Sequence, residues 1–446
     1  MCLLLGAGLL LLVTLAATGA WRTWDAIQHR EAPRTVAATE LNLALDDMDA
    51  QTANILLSSG DAGKGRLEES YSKANGFYHD AQETISRSLR ALGAASEGDT
   101  ATQDTVVALT DGFAHYQELI GRALENDAHP GGKDAARDCY RQATGLLSRE
   151  LLPRARDLVE ANDAVYQKEY IAARSVLEMW LIAAAIVGVP LIVALVVLNV
   201  GIARTFHRVF NPVLLAGTLC AVTAVLCAGR LLCVSFDELK VARHDAFDSV
   251  VALSRSKAIG YDANADESRY LLDVASRPAY ERTFLEKSQD LYGIEGAGLS
   301  SYDQELAETW AAYQRDNGDE QFTGEYRREL DNITFAGERK AAERTVEAYA
   351  VYQRDDRTFR RLVAEGRTRE ATVFCIGWAS DTSNVHFGVW MKALDEVTAI
   401  NAVHHDKAIA TARHAIDVQG PVTLCTLLLG AGLLVRGLRP RLAEFG

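Results

Sequence analysis

The chain has 446 residues, 48% of them hydrophobic and 24% charged, with a net charge of −14 at pH 7. That acidity disfavours nucleic acid as a partner, because a polyanion is repelled. Apolar and charged residues fall in separate blocks, which excludes an ordinary soluble domain and points to a protein held in membrane lipid.

Crossing a bilayer as a helix takes about 20 consecutive apolar residues. Residues 3–20 form the first such run and carry no charge. Thr18 and Ala20 would also suit the small-residue positions of a signal-peptide cut. No basic stretch precedes the run, however, and the second half of the chain holds a retained equivalent, so a retained span is expected. Residues 21–178 are polar and Ala-rich. In them Val106, Leu109, Phe113, Tyr116, Ile120 and Leu124 recur at three- and four-residue spacing, the signature of an amphipathic helix. Breaker-rich runs at 58–63, 93–99 and 126–132 divide this segment into four helices, the last kinked at Pro153.

Residues 179–200 and 212–234 are two further spans, joined by a short loop at 201–211. Residues 235–420 are again helical in pattern, with Val346, Tyr349, Tyr352, Phe359 and Leu362 on one stripe. Breaks are expected near Arg277-Pro278, at 293–300, at Asn317-Gly318, at 335–337 and at Glu365-Gly366. A fourth span covers 421–436, and 437–446 is a tail. Arg204, His207 and Arg208 lie in the short loop, and Arg436, Arg439 and Arg441 lie at or in the tail. Lys and Arg mark the cytoplasmic side. Both termini and the loop are therefore expected inside, and both long segments outside.

The two halves repeat one plan: span, outside domain, span. Residues 48–57 lie opposite 264–273, and 113–117 opposite 349–353. In the same register Cys139 meets Cys375, and near the last helix Asn162 falls opposite Asn401. The second copy holds about 20 extra residues between Gly293 and Gly337, judged by that register. The fold class expected is all-α: four transmembrane helices and two tandem extracytoplasmic four-helix bundles, each an up-down-up-down stalk.

Chemistry is sparse. The sequence has no Gly-rich phosphate loop, nucleophile elbow, HExxH or CxxC, so neither an enzyme nor a cofactor is expected. His404, His405 and Asp406 are adjacent, and neighbours on a helix point about 100° apart, which is poor metal-ligand spacing. Of seven cysteines, four lie in or beside spans, and only Cys139 and Cys375 fall in the long segments. They are either a disulfide clamping the bundles or two buried free thiols. Asn162 and Asn401 are repeat-matched polar positions on the helices leading into spans. Arg230 is expected to snorkel to an interface. The Asn332-Ile-Thr334 sequon is incidental. The distal loops carry Asp61, Asp127, His129, Arg277 and Glu365, which are the candidate docking residues.

In pattern, the outside segments resemble the four-helix-bundle sensor domains of bacterial chemoreceptors and sensor kinases. In topology, the whole chain resembles a family of four-pass actinobacterial membrane proteins. These act with a glutamine/glutamate-binding lipoprotein upstream of protein kinase G. The resemblance implies sensing of glutamate, glutamine or aspartate by docking a ligand-loaded solute-binding lipoprotein, with relay to a cytoplasmic kinase. The loop at 201–211 is too short for a built-in relay module, so output would pass to a separate protein. A homo-oligomer fits this plan. A direct small-molecule receptor and a structural assembly factor of the envelope are the alternatives.

Overall fold

The computed structural model describes residues 1–61, 65–96, 98–206 and 211–442. His207 and Arg208 lie outside the described residues, as do the side chains of Asp61 and Arg441. Eleven helices and no β-strand occur among the described residues. Four are long and apolar enough to cross a membrane: α1 (Cys2–Ser58), α4 (Lys133–Arg204), α5 (Pro212–Leu272) and α11 (Ser383–Arg439). Between them lie α2 (Glu68–Ala95), α3 (Thr100–Ala128), α6 (Arg277–Leu291), α7 (Tyr302–Arg315), α8 (Glu325–Asp331), α9 (Glu338–Ala364) and α10 (Thr368–Ile376).

Local chemistry explains the helix ends. Asp99 caps α3, its carboxylate accepting from the Thr102 amide at 3.2 Å. Asn211 caps α5 by accepting from the Val213 amide at 3.1 Å, and Pro212 opens the helix, where a missing N–H costs nothing. The expected break at Arg277-Pro278 falls just before α6, whose first turn holds that proline. At Pro153 the helix does not end. It widens into a π-turn at Leu147–Leu151, and a second π-turn at Ile27–Glu31 precedes Pro33 in the same way. A proline ring clashes with the carbonyl four residues back, and a widened turn relieves that clash. One interruption was not expected: residues 377–382 separate α10 from α11. A Cβ on Gly377 would lie 2.2 Å from the Val373 carbonyl oxygen, so only glycine fits there.

The chain divides into two compact units. One comprises Met1–Ala32, Ala164–His244 and His404–Gly446. Its interior is built from Leu9, Val13, Leu191, Leu195, Leu214, Ala221, Ala224 and Leu427. Large apolar residues such as Leu11, Ile186, Leu219 and Leu226 face outward. Large apolar residues on the outer face, with the closest helix approaches made at small residues, is the pattern of helices packed in lipid. Gly430 comes within reach of the Gly217 carbonyl, and Asn199 donates to Thr218 Oγ1 at 2.8 Å between α4 and α5.

The other unit comprises Pro33–Asp163 and Asp245–Val403. The two segments expected as separate stalks, 21–178 and 235–420, thus contribute to one body with a shared interior. Leu67 of the first repeat packs with Tyr270, Phe359, Leu362 and Cys375 of the second. Lys73 lies over the Trp378 ring, 3.8 Å from its centre. The stripe of α3 is buried at Val106, Leu109, Phe113, Tyr116 and Ile120, and its α9 counterpart at Val346, Tyr349, Tyr352, Phe359 and Leu362.

The extra residues of the second repeat form α7 and α8, which close an aromatic core. Tyr292 stacks on Phe322 with centroids 4.1 Å apart, and Trp390 donates to the Tyr326 hydroxyl at 2.7 Å. Below this core Glu329 is buried beside Glu338, which itself accepts from the Thr334 and Phe335 amides and from Asn401. Burial, reinforced by the Glu338 charge, pushes the Glu329 carboxyl up to about 7.

A carboxyl raised on folding keeps its proton in the native state after the unfolded chain has released it. Stability therefore falls as pH rises between about 4.3, the value of a free glutamate, and the folded value. Thermal unfolding of purified protein at pH 5 and pH 8 should show a lower melting temperature at pH 8. Glu329→Gln should flatten part of that slope; an unchanged slope would show that Glu329 does not titrate in this range.

Candidate functional site

The centre of the second unit is ionic. Helix α5 is buried at every position from Asp262 to Leu271, although Asp262, Asn264, Asp266, Glu267, Ser268 and Arg269 are polar. Asp262, Asp266 and Arg269 fall at spacings of four and three, so they share one helix face. That face meets Asp49 of α1, which is fully buried.

Arg269 donates to Asp49 Oδ2 through Nη2 at 2.6 Å and Nε at 3.1 Å. Its Nη1 donates to Asp262 at 3.0 Å and Asp266 at 2.6 Å. Asp49 also accepts from the hydroxyls of Tyr116 at 2.9 Å, Tyr140 at 3.0 Å and Thr144 at 3.2 Å. The first repeat thus supplies one carboxylate and three hydroxyls, and the second supplies the guanidinium. Lys287 of α6 completes the cluster, reaching Asp266 Oδ2 at 2.5 Å and Asp262 Oδ1 at 2.9 Å. A second link joins the repeats nearby, where Ser268 donates to Asn54 Oδ1 at 2.7 Å.

The charges set the proton balance. Burial alone would raise the Asp262 carboxyl, but Lys287 and Arg269 outweigh it and hold it well below the usual range. Burial opposes the charge on Arg269, and Asp49, Tyr140, Asp266 and Asp262 more than restore it. Asp46 sits one turn before Asp49 with both carboxyl oxygens buried and unpartnered. Burial, and then the nearby Asp262 charge, push it well above the carboxylate range.

A cavity of about 630 Å³ opens beside this cluster. Thr39, Asn42 and Arg156 of the first repeat line it, facing Asp262, Lys287 and Glu325 of the second. Its volume is in the range of small-molecule sites. Among the described residues no group of three or more His, Cys, Asp or Glu side chains is placed to hold a metal ion.

The sequence-derived candidates scatter around this centre. Asp127 is half-buried and lines a small hollow with Lys133 and Leu271. His129 is exposed, bonded back to the Glu125 carbonyl. Arg277 stacks over Tyr270 and donates to its carbonyl at 3.0 Å. Glu365 is exposed and paired with Arg367. Cys139 and Cys375 are both buried free thiols: the first accepts from Asn126, and the second lies in the apolar cluster with Phe359. Asn162 donates to the Leu158 carbonyl one turn back, while Asn401 reaches Glu338 as well as the Val397 carbonyl.

Sequence reasoning missed Asp49, Asp262, Asp266, Arg269 and Lys287. Some signal was present, since the repeat-matched segments 48–57 and 264–273 contain Asp49, Asp266 and Arg269. Charged residues in a soluble helix normally face water, so the segments read as solvated.

Residues 23–171 match the family described as the actinobacterial sensor domain. The matched stretch includes Asp49, Tyr116, Tyr140 and Thr144. No curated protein matches the chain, and no solved structure does. Together with the four apolar helices, the match points to a multi-pass membrane protein with a sensing or signalling role.

Removing one partner of a buried ion pair leaves the other charge uncompensated and costs about 3–5 kcal/mol. Arg269→Met should therefore lower the melting temperature steeply. Asp49→Asn combined with Arg269→Met should lower it by less than the sum of the single changes. Strict additivity in such a cycle would show that the two side chains do not interact.

Proposed function

We propose that the protein is a transmembrane sensor. Its second unit lies outside the cell and takes input there, and the signal passes along the long helices to a separate cytoplasmic kinase. The sensor-domain match over residues 23–171 is the observation that carries this reading. The long helices support it. Each candidate span belongs to a helix of 57 residues or more that extends beyond the apolar stretch, and such helices carry small piston or rotation shifts. The extracytoplasmic placement is supported by Arg204, Arg436 and Arg439 beside the spans.

The input follows from the topological resemblance: a solute-binding lipoprotein, loaded with glutamate, glutamine or aspartate, docks on the distal loops. Exposed His129 and Glu365 are available for such a contact. A ligand-loaded partner shifts a sensor only by binding one arrangement of the helices better than another.

Reporter fusions check the sidedness. Alkaline phosphatase joined after residue 131 or 318 should be active, and joined after residue 439 inactive; the reverse would overturn the placement. Crosslinking of the full chain in native membranes should then recover a solute-binding lipoprotein. His129→Ala with Glu365→Arg should reduce that recovery several-fold, and equal recovery would remove the distal loops as the docking surface.

A further inference from the structure

The cavity beside the ionic seam has a chemical bias that goes beyond docking by a partner protein. Its walls carry buried acceptors that find no protein donor among the described residues. Asn42 is 8% exposed, and its Oδ1 has no hydrogen-bond partner. Glu325 is 7% exposed; its Oε1 accepts from Arg328 at 2.8 Å, while its Oε2 has no partner. Buried acceptors are normally paired, and a group left unpaired calls for a donor. The first comes from one repeat and the second from the other.

The cations of the same cavity are unequally committed. Lys287 is held by Asp262 and Asp266, and Arg328 by Glu325. Arg255 reaches Glu325 only at 3.9 Å. Arg156 is exposed at the wall, and no ion pair to it is seen among the described residues. Arg156 and Arg255 are thus the guanidinium groups least tightly held, although Glu160, Glu286 and Asp290 line the same cavity, and their planar geometry suits a carboxylate. Val159, Val251 and Ile259 add apolar surface to the lining.

We propose that this cavity binds a free small zwitterion carrying a primary ammonium and a carboxylate. The ammonium donates to Asn42 and Glu325, and the carboxylate pairs with Arg156 and Arg255. A dicarboxylate lacks the donors, a polyamine lacks the anion, and a quaternary betaine has no N–H to give. Because the walls come from both repeats, occupancy favours one arrangement of the seam, which makes direct binding a second input to the same unit. That consequence rests on the sensor reading above; occupancy itself does not.

Isothermal titration of the full chain in lipid nanodiscs tests the proposal. The probes are the common L-amino acids, each alone, with succinate, putrescine and glycine betaine as controls. At least one amino acid should bind, and the three controls should not. Arg156→Gln should weaken that binding at least tenfold while the ligand-free melting temperature holds, since the side chain is exposed. Asn42→Ala should weaken it as well. Failure of every amino acid to bind, equal binding of betaine or putrescine, or unchanged affinity in both variants would overturn the proposal. If binding fails while the lipoprotein is still recovered by crosslinking, the cavity assignment falls and the sensor reading stands. If both fail, the sensor reading falls with it.

Discussion

The second unit depends on one guanidinium, that of Arg269, buried between carboxylates from both halves of the chain. Ions leave water at a cost, and a buried pair returns that cost only when its geometry is good and the remaining lone pairs are filled. Here they are filled: Asp49 accepts five hydrogen bonds, two from Arg269 and three from hydroxyls. What such a cluster secures is register. Sliding α1 against α5 by one turn would part Asp49 from Arg269 and Asn54 from Ser268 together. Apolar surfaces alone would tolerate the slip.

The two repeats share a plan and are not equivalent. The second has its own aromatic core, closed by α7 and α8 around Tyr302, Tyr349 and Trp390. The first has no matching insertion, and its buried carboxylate leans on the second repeat for a counter-ion. This asymmetry ties the two segments into one body. A first repeat taken alone would bury Asp49 with hydroxyl donors only, which is a poor bargain for a full charge.

The two units differ on their outer faces for one reason, the solvent around them. Where large apolar residues also face outward, Gly217 and Gly430 allow a close helix approach and the Asn199–Thr218 bond ties α4 to α5. In the other unit large apolar and aromatic residues go inside, and Asp49 and Arg269 are buried with them.

The sequence by itself determined the four apolar spans, the helical class, most helix boundaries and the buried stripes of α3 and α9. These follow from local quantities: run length, residue spacing, and the conformations open to proline and glycine. Even the π-turns before Pro33 and Pro153 answer a clash four residues long. Only the tertiary structure decided that the two repeats share an interior, that Asp49 meets Arg269 and that a polar-walled cavity lies beside them. A charged residue on a helix looks the same in sequence whether it faces water or a counter-ion 220 residues away. Its surroundings are set by how the helices pack, and no local pattern records that choice.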